Sequence, residues 1–289
     1  MTIKDLINYS NQLALENNKE ERAGYNLLEF LLKKEPYELY ASMDEEVDPS
    51  IVSQFKTLLQ EYVEGKPLQH ILGYETFLGR DFIVNEDVLI PRYETEELVE
   101  NILYHIDDYF TKYDKILVGD VGTGSGAIAL SIDLEEPKTQ VIASDISEKA
   151  IDTAKLNNDK FGGKVEFLVG DLLQPFIDKG IKLDIFVSNP PYIPQEQNIE
   201  STVKDYEPNL ALFGGNDGLD FYRAIFKDVD KILKDRALLE FEFGFDQKEL
   251  MEEALKEYFP NDEYEIMKDI NGKNRMLFIY KNIDRLNRG

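Results

Sequence analysis

Asn189, followed by Pro190, Pro191 and Tyr192, is the stretch of this chain whose residue types and order are best suited to chemistry. A side-chain amide oxygen and a carbonyl of proline-stiffened backbone can each accept one hydrogen of an NH₂ group, and a Tyr ring can pack flat against the planar group that carries it. The residues just before, Leu183-Asp184-Ile185-Phe186-Val187-Ser188, form an apolar run that predicts a short buried strand. Proline has no N–H to give to a sheet ladder, so the strand should end at about Ser188. Asn189 then stands at its carboxyl end, where open α/β sheets bind ligands.

A second stretch, Asp120-Val121-Gly122-Thr123-Gly124-Ser125-Gly126-Ala127, lies between a predicted strand and a predicted helix. Alternating glycines let the backbone approach a ligand closely and open the helix N-terminus toward it. Gly122, Gly124 and Ala127 also fit the dinucleotide fingerprint, and Asp145 ends the next strand at about the ~20-residue offset at which an acid binds ribose hydroxyls. The glycines alone therefore suit NAD and S-adenosylmethionine equally. Two acids favour the second. Asp120 can take the ammonium of an amino-acid-bearing cofactor, a group that NAD lacks. Asp171, after the third strand, is placed to accept from an adenine amino group with Leu172 against the ring. Asp120, Asp145, Asp171 and Asn189 thus fall at the ends of four successive predicted strands.

These residues need elements to hold them. Residues 115–289 predict alternating strands and helices: strands at 116–121, 140–144, 164–169, 183–188 and 237–243, helices at 125–134, 147–158, 218–233 and 247–258, and two closing strands near 264–267 and 276–280, antiparallel as a hairpin. Such an order builds a mostly parallel sheet with helices on both faces, an α/β fold. Residues 1–72 predict a helical bundle, with Leu6, Leu13, Leu27, Leu28, Leu31, Leu32, Ile51, Phe55, Leu58, Leu59 and Tyr62 at three- and four-residue spacings. A β-hairpin over residues 75–84, with Gly79 near its middle, joins the two, so the expected division is 1–72, 73–87 and 88–289.

Composition narrows the chemistry. The chain of 289 residues carries a net charge of -25. Such a charge repels a phosphate backbone, and no Lys/Arg-rich stripe offsets it, so no direct nucleic-acid partner is expected. The absence of cysteine excludes disulfides, thiolate nucleophiles and zinc ribbons. His70 and His105 have no partners at ligand spacing, so no metal site is expected. With no apolar signal region at its start and no run of 18 apolar residues, the chain is expected to be cytoplasmic and free of membrane segments. A monomer is expected.

The residues leave several functions open: an amino-group methyltransferase, including an adenine-N6 enzyme that flips its base out of the stack; a non-catalytic S-adenosylmethionine-binding protein; and an NAD-dependent dehydrogenase. Longer stretches carry a resemblance. Pro67-Leu68-Gln69 with Ile71-Leu72-Gly73, Val88-Leu89-Ile90-Pro91-Arg92, the loop Asp120 to Gly126, and Asn189 to Tyr192 resemble the bacterial release factor glutamine methyltransferases, the HemK/PrmC family. So do Tyr206-Glu207-Pro208, Gly214-Gly215-x-Asp217-Gly218-Leu219, Glu242-x-Gly244-Phe245-x-Gln247 and Asp269-x-x-Gly272-x-x-Arg275. The resemblance implies a Rossmann-like class I methyltransferase sheet. It also implies methyl transfer from S-adenosylmethionine to the side-chain amide N5 of the glutamine in the Gly-Gly-Gln motif of peptide chain release factors 1 and 2, in translation termination. Carried over by position, Asp120, Gly122, Thr123, Gly124, Ser125, Gly126, Asp145, Asp171, Leu172 and Asn189 are the cofactor-binding residues, and Asn189, Pro190, Pro191 and Tyr192 hold the glutamine amide. The residues after Arg92 depart from the family's usual Pro-Glu-Thr in having Tyr93 first, and His70 stands where the family often has Tyr.

Overall fold

The computed structural model describes residues 1–198 and 201–285, and these fall into two compact units. The first comprises Met1–Tyr74 together with a helix at Ser201–Tyr206. Its helices are α1 (Ile3–Glu16), α2 (Arg22–Leu32), α3 (Pro36–Ala41), α4 (Pro49–Val63) and α5 (Leu68–Leu72). Their starts follow from local chemistry. Thr2 and Asp5 form a reciprocal capping box on α1, and the Asp48 carboxylate caps α4, whose first residue is Pro49. All eleven apolar residues picked out by spacing lie in one cluster, with Leu6, Leu27, Leu28, Phe55 and Leu59 fully buried at its centre.

The second unit starts with a hairpin, β1 (Tyr74–Phe77) and β2 (Arg80–Ile83), turned by Leu78 and Gly79, whose φ angles of 45° and 72° are both left-handed. Two successive positive φ angles give the turn the twist that matches its strands. There follow α6 (Tyr93–Tyr109), β3 (Ile116–Val121), α7 (Ala127–Glu135), β4 (Thr139–Asp145), α8 (Glu148–Phe161), β5 (Glu166–Val169), α9 (Gln174–Asp178) and β6 (Leu183–Ser188). After the helix Ser201–Tyr206 (α10) come α11 (Asp220–Asp228), β7 (Leu233–Glu242), α12 (Lys248–Tyr258), β8 (Glu263–Lys268) and β9 (Asn274–Lys281). Among the described residues no helix is long and apolar enough to cross a membrane.

The seven-stranded sheet has the order β5-β4-β3-β6-β7-β9-β8. Strands β3 to β7 pair in parallel, and one apolar cluster covers each face, the first including Leu98, Ile102 and Ile106 of α6 and the second Tyr222, Ile225 and Phe226 of α11. The closing hairpin is antiparallel as expected, but its second strand inserts between β7 and β8. The apolar run Met276–Tyr280 is buried throughout, whereas β8 is only half-buried, so burial sends the later strand inward and leaves the earlier one at the edge. Two boundaries also move. Helix α11 ends at Asp228 and β7 begins at Leu233, because the polar Lys234, Asp235 and Arg236 that look like a loop are already strand. Lys234 is held there by Asp184 of the neighbouring β6, its Nζ 2.6 Å from the buried carboxylate.

Register decides what meets at the carboxyl edge. Val121 pairs with Ser144 on one side and with Ser188 on the other, while Asp145 pairs with Val169. The glycine loop, Asp145, the turn at Gly170 and Asn189 therefore leave the sheet at one level. Between β3 and β6 the winding reverses: the chain runs from β3 out to β4 and β5, then returns to the other side. The loops after β3 and β6 diverge there and leave a crevice.

Phe186, fully buried on the central strand β6 with its ring 5.3 Å from that of Phe241, tests how far this edge depends on the core. Replacing it by Ala is expected to cost about 3–5 kcal/mol of unfolding free energy, read as a lower denaturant midpoint with an unchanged slope.

Candidate active site

The crevice is a cleft at the carboxyl edge of the parallel strands, where open α/β sheets bind ligands. Gly122, Gly124, Asp145 and Ser147 line one side, Asn189 and Pro191 another, and Val88, Leu89, Pro208 and Leu210 supply apolar walls. Of the expected residues it thus joins Gly122, Gly124, Asp145, Asn189 and Pro191.

The glycine loop divides its labour. Gly122 and Gly124 have φ angles of 77° and 55°, and a Cβ added to either would meet nothing within 4 Å. They present bare backbone to the cleft. Gly126, also left-handed, instead faces the protein: a Cβ there would lie 3.2 Å from Ala154 of α8. Its role is close helix packing, not the approach to a ligand. Thr123 and Ser125 are buried, the Thr123 hydroxyl donating to Asp120 at 2.6 Å and the Ser125 carbonyl accepting from Asn157 at 2.9 Å. Asp145 anchors the loop from the adjoining strand, accepting from the backbone N–H of Gly124 and of Ser147, each at 2.9 Å. Burial raises its pKa against these bonds, which hold it down.

Asn189 points its amide nitrogen at the Thr95 hydroxyl, 3.3 Å away. The Tyr192 hydroxyl donates to Glu242 at 3.3 Å, and burial pushes the Tyr192 phenol well above its ordinary pKa. Behind the loop, the Gln247 amide nitrogen donates to the carbonyls of Tyr192 and Asp217, at 2.8 and 3.0 Å. Gly218 is needed for that contact, since a Cβ there would lie 2.1 Å from the Tyr192 carbonyl oxygen. Among the described residues no hydrogen-bond donor reaches the Pro190 carbonyl. Asp171 is exposed and Leu172 half-buried at a φ of 44°, and neither lines the cleft.

The apolar walls come from far apart in the chain and are tied by one side chain. Glu207, 5% exposed, accepts from the Ile90 backbone N–H at 3.0 Å and from the Arg92 guanidinium at 2.5 Å. That clasp brings the segment containing Val88 and Leu89 against the one containing Pro208 and Leu210. Tyr93 follows directly as the first residue of α6 and is 57% exposed. Proline favours that first helical position because the N–H there has no partner to lose.

Family resemblances point the same way. The family Methyltransferase small domain matches residues 101–206 and PrmC N-terminal domain matches residues 6–73. The Release factor glutamine methyltransferase of Bacillus cereus is 42% identical over 280 residues, covering 96% of this chain and 99% of that one. The protein belongs to this family. The relative of the same name from Bacillus subtilis is 41% identical over 285 residues, 97% of this chain and 99% of its own. Among solved structures, a methyltransferase from Pyrococcus furiosus superposes with a TM-score of 0.51 at 14% identity, covering 80% of this chain and 100% of that one. A 16S rRNA methyltransferase of T. thermophilus in complex with AdoMet and guanosine gives 0.50 at 15%, covering 72% and 50%. At these identities the two structures bear on the fold alone.

For this methyltransferase, residue chemistry alone does not single out Val88, Leu89, Pro208 and Leu210, which offer no reactive group, nor Thr95 and Glu242, which become neighbours of the Asn189 loop only through packing. For all but Leu210, the signal that points to them is their place in family motifs. Asp120 differs from all of these in being legible and then hidden. It is 0% exposed, one carboxylate oxygen takes the Thr123 hydroxyl, and the other meets no donor at full hydrogen-bond geometry among the described residues, the Ala129 N–H only helping to hold its pKa down. Burial raises its pKa from 3.8 to about 7, with the Asp145 charge adding to the effect. An acid held above its ordinary pKa favours the folded state at acid pH, and that contribution is lost as pH rises toward the folded value. Asp120→Asn removes the buried charge. At pH 8 the ligand-free variant is expected to melt several degrees above wild type, a stabilisation on the order of a few kcal/mol, and the difference should shrink toward pH 4. A scanning-calorimetry series across that range checks it.

Proposed function

We infer that the cleft binds S-adenosylmethionine and that the enzyme methylates the side-chain amide nitrogen of the glutamine in the Gly-Gly-Gln motif of peptide chain release factors. The observation that supports this most is the single cleft shared by the bare glycine backbone, Asp145 and Asn189. The residues fit the cofactor. The oxygen of Asp120 that meets no full hydrogen bond, beneath the glycine loop, suits the ammonium of the amino-acid portion, directly or through a water molecule. Each oxygen of Asp145 takes one backbone N–H and keeps a lone pair for a ribose hydroxyl. Asp171 and Leu172 stay in this reading as the residues nearest the adenine.

Bound S-adenosylmethionine supplies an electrophilic methyl group on a sulfonium. An amide nitrogen is a weak nucleophile, its lone pair delocalised into the carbonyl, so the chain's residues must act by positioning. The Asn189 oxygen and the Pro190 carbonyl accept the two N–H hydrogens and turn the nitrogen toward the methyl, while the Tyr192 ring packs against the amide plane. The nitrogen gives up one proton, which leaves to water. Catalysis then rests on preorganised acceptors. The curated relatives do not favour an adenine amino group as acceptor.

In this reading the protein partners are release factors 1 and 2, with no direct nucleic-acid contact, and the enzyme is a cytoplasmic monomer. Residues 1–72 recognise the release factor, the hairpin region 73–87 links them to the rest, and residues 88–289 carry the methyl transfer. The reason is area: a protein partner typically buries ~800 Å² per side, beyond what a cleft for one side chain offers.

Wild type incubated with release factor and donor is expected to add one methyl to the Gly-Gly-Gln glutamine, located by peptide mass mapping. Asn189→Ala should lower kcat ~10²-fold or more while sparing donor binding, and Asp145→Ala should raise the donor dissociation constant at least tenfold by calorimetry. The opposite pattern would exchange or remove the two roles. Deleting residues 1–72 should leave donor binding intact and lower kcat/KM for intact release factor at least tenfold. An undiminished value, with binding retained, removes the recognition role.

A further inference from the structure

We propose that Thr95 and Glu242 are positioning residues for methyl transfer: they form a directed hydrogen-bond relay that turns the Asn189 side chain so that its oxygen, not its nitrogen, faces the substrate amide. The proposal rests on the role given to Asn189 above. An Asn side chain is nearly symmetric in shape, and only its hydrogen bonds decide which end points where. The wrong choice sets the Asn189 NH₂ against the substrate NH₂, donor against donor, and removes an acceptor on which presentation of the lone pair depends.

The relay starts from a carboxylate. Ser188 pairs with Phe241 in the parallel register of β6 and β7, so Asn189 and Glu242 leave neighbouring strands together, and Thr95 in the first turn of α6 reaches both. Glu242 is 1% exposed. One of its oxygens accepts the Thr95 hydroxyl at 2.6 Å and the other the Tyr192 hydroxyl at 3.3 Å. The shorter distance is that of a strong O–H···O hydrogen bond to a carboxyl oxygen. Burial raises the Glu242 pKa, and the Thr95 hydrogen bond and the Arg275 guanidinium act against that rise. Each of the two Glu242 oxygens thus serves one hydroxyl as acceptor.

Polarity is then passed along. A threonine hydroxyl has a single hydrogen. With that hydrogen committed to Glu242, Thr95 can only accept from its other neighbour, so the Asn189 group that faces it must be the NH₂, as the 3.3 Å contact from Nδ2 to Oγ1 records. The Asn189 oxygen is left pointing away from Thr95, and no donor among the described residues reaches it. The same carboxylate holds Tyr192 at the other end of the loop, so one buried carboxyl group orients both side chains that bracket the two prolines.

A purely structural Thr95, tying α6 to the sheet, would need bulk and a folded helix but no particular polarity. Thr95→Val keeps the shape and removes the hydroxyl, leaving the Asn189 NH₂ unpaired in its productive orientation. Expected results are a loss in kcat of at least tenfold, a KM for release factor within threefold and a donor dissociation constant within twofold of wild type. Thr95→Ser, which restores the hydroxyl, should return kcat to within threefold. Thr95→Ala, well tolerated in a helix's first turn, should lose kcat as Val does, and it decides the question if the Val variant does not fold. A hydroxyl-free variant with kcat within twofold of wild type, or a Ser variant as impaired as Val, would overturn the relay. If wild type in the same assay methylates no release factor, the substrate reading fails and the relay falls with it.

Discussion

The winding reversal between β3 and β6 is the constraint on which the rest of this structure depends. Parallel strands need crossovers, and a chain that winds outward from the middle of a sheet must return to the middle to wind the other way. At that point two adjacent loops part. Here one loop is the glycine stretch after β3 and the other the Asn-Pro-Pro-Tyr stretch after β6, joined by a register that ends Val121 and Ser188 side by side. The cleft opens just beyond the last pair of these two strands, Val121 with Ser188.

What surrounds that opening is a set of buried polar groups, each with a different balance. Glu207 is nearly fully paired and closes the apolar walls. Gln247 spends both ends of its amide on backbone and fixes the back of the Asn-Pro-Pro-Tyr loop. Glu242 is buried and accepts from two hydroxyls. Asp120 keeps one oxygen that meets no donor at full hydrogen-bond geometry among the described residues.

The two units ask different things of their sequences. In the helical unit the apolar residues at three- and four-residue spacings all join one core, and the caps at Thr2 and Asp48 start the helices where local hydrogen bonding is best. No expected cofactor residue falls there. In the sheet unit, strands with continuous apolar runs are buried on both faces, as parallel strands covered by helices must be.

The sequence by itself determined the elements and most of the chemistry, since both follow from local rules. Proline cannot extend a strand, so the end of β6 and the place of Asn189 just beyond it were legible, and so were the glycine loop, Asp145 and the hairpin at Gly79. Tertiary structure alone decided matters that depend on which distant residues meet. The insertion of β9 between β7 and β8 follows from competition for burial between two strands, a comparison that no local pattern contains. Gly126 turned toward α8 and not the cleft, because a glycine's permissive backbone states that a Cβ is absent and not what approaches in its place. Asp171 lies outside the cleft lining, although its place after β5 matched that of the other acids, because β5 is the edge strand of the sheet. Glu207 with Arg92, and Glu242 with Thr95, lie 115 and 147 residues apart in the chain. Hydrogen bonds over such separations are made by packing, and packing is what set the Thr95 hydroxyl against the asparagine at the end of β6.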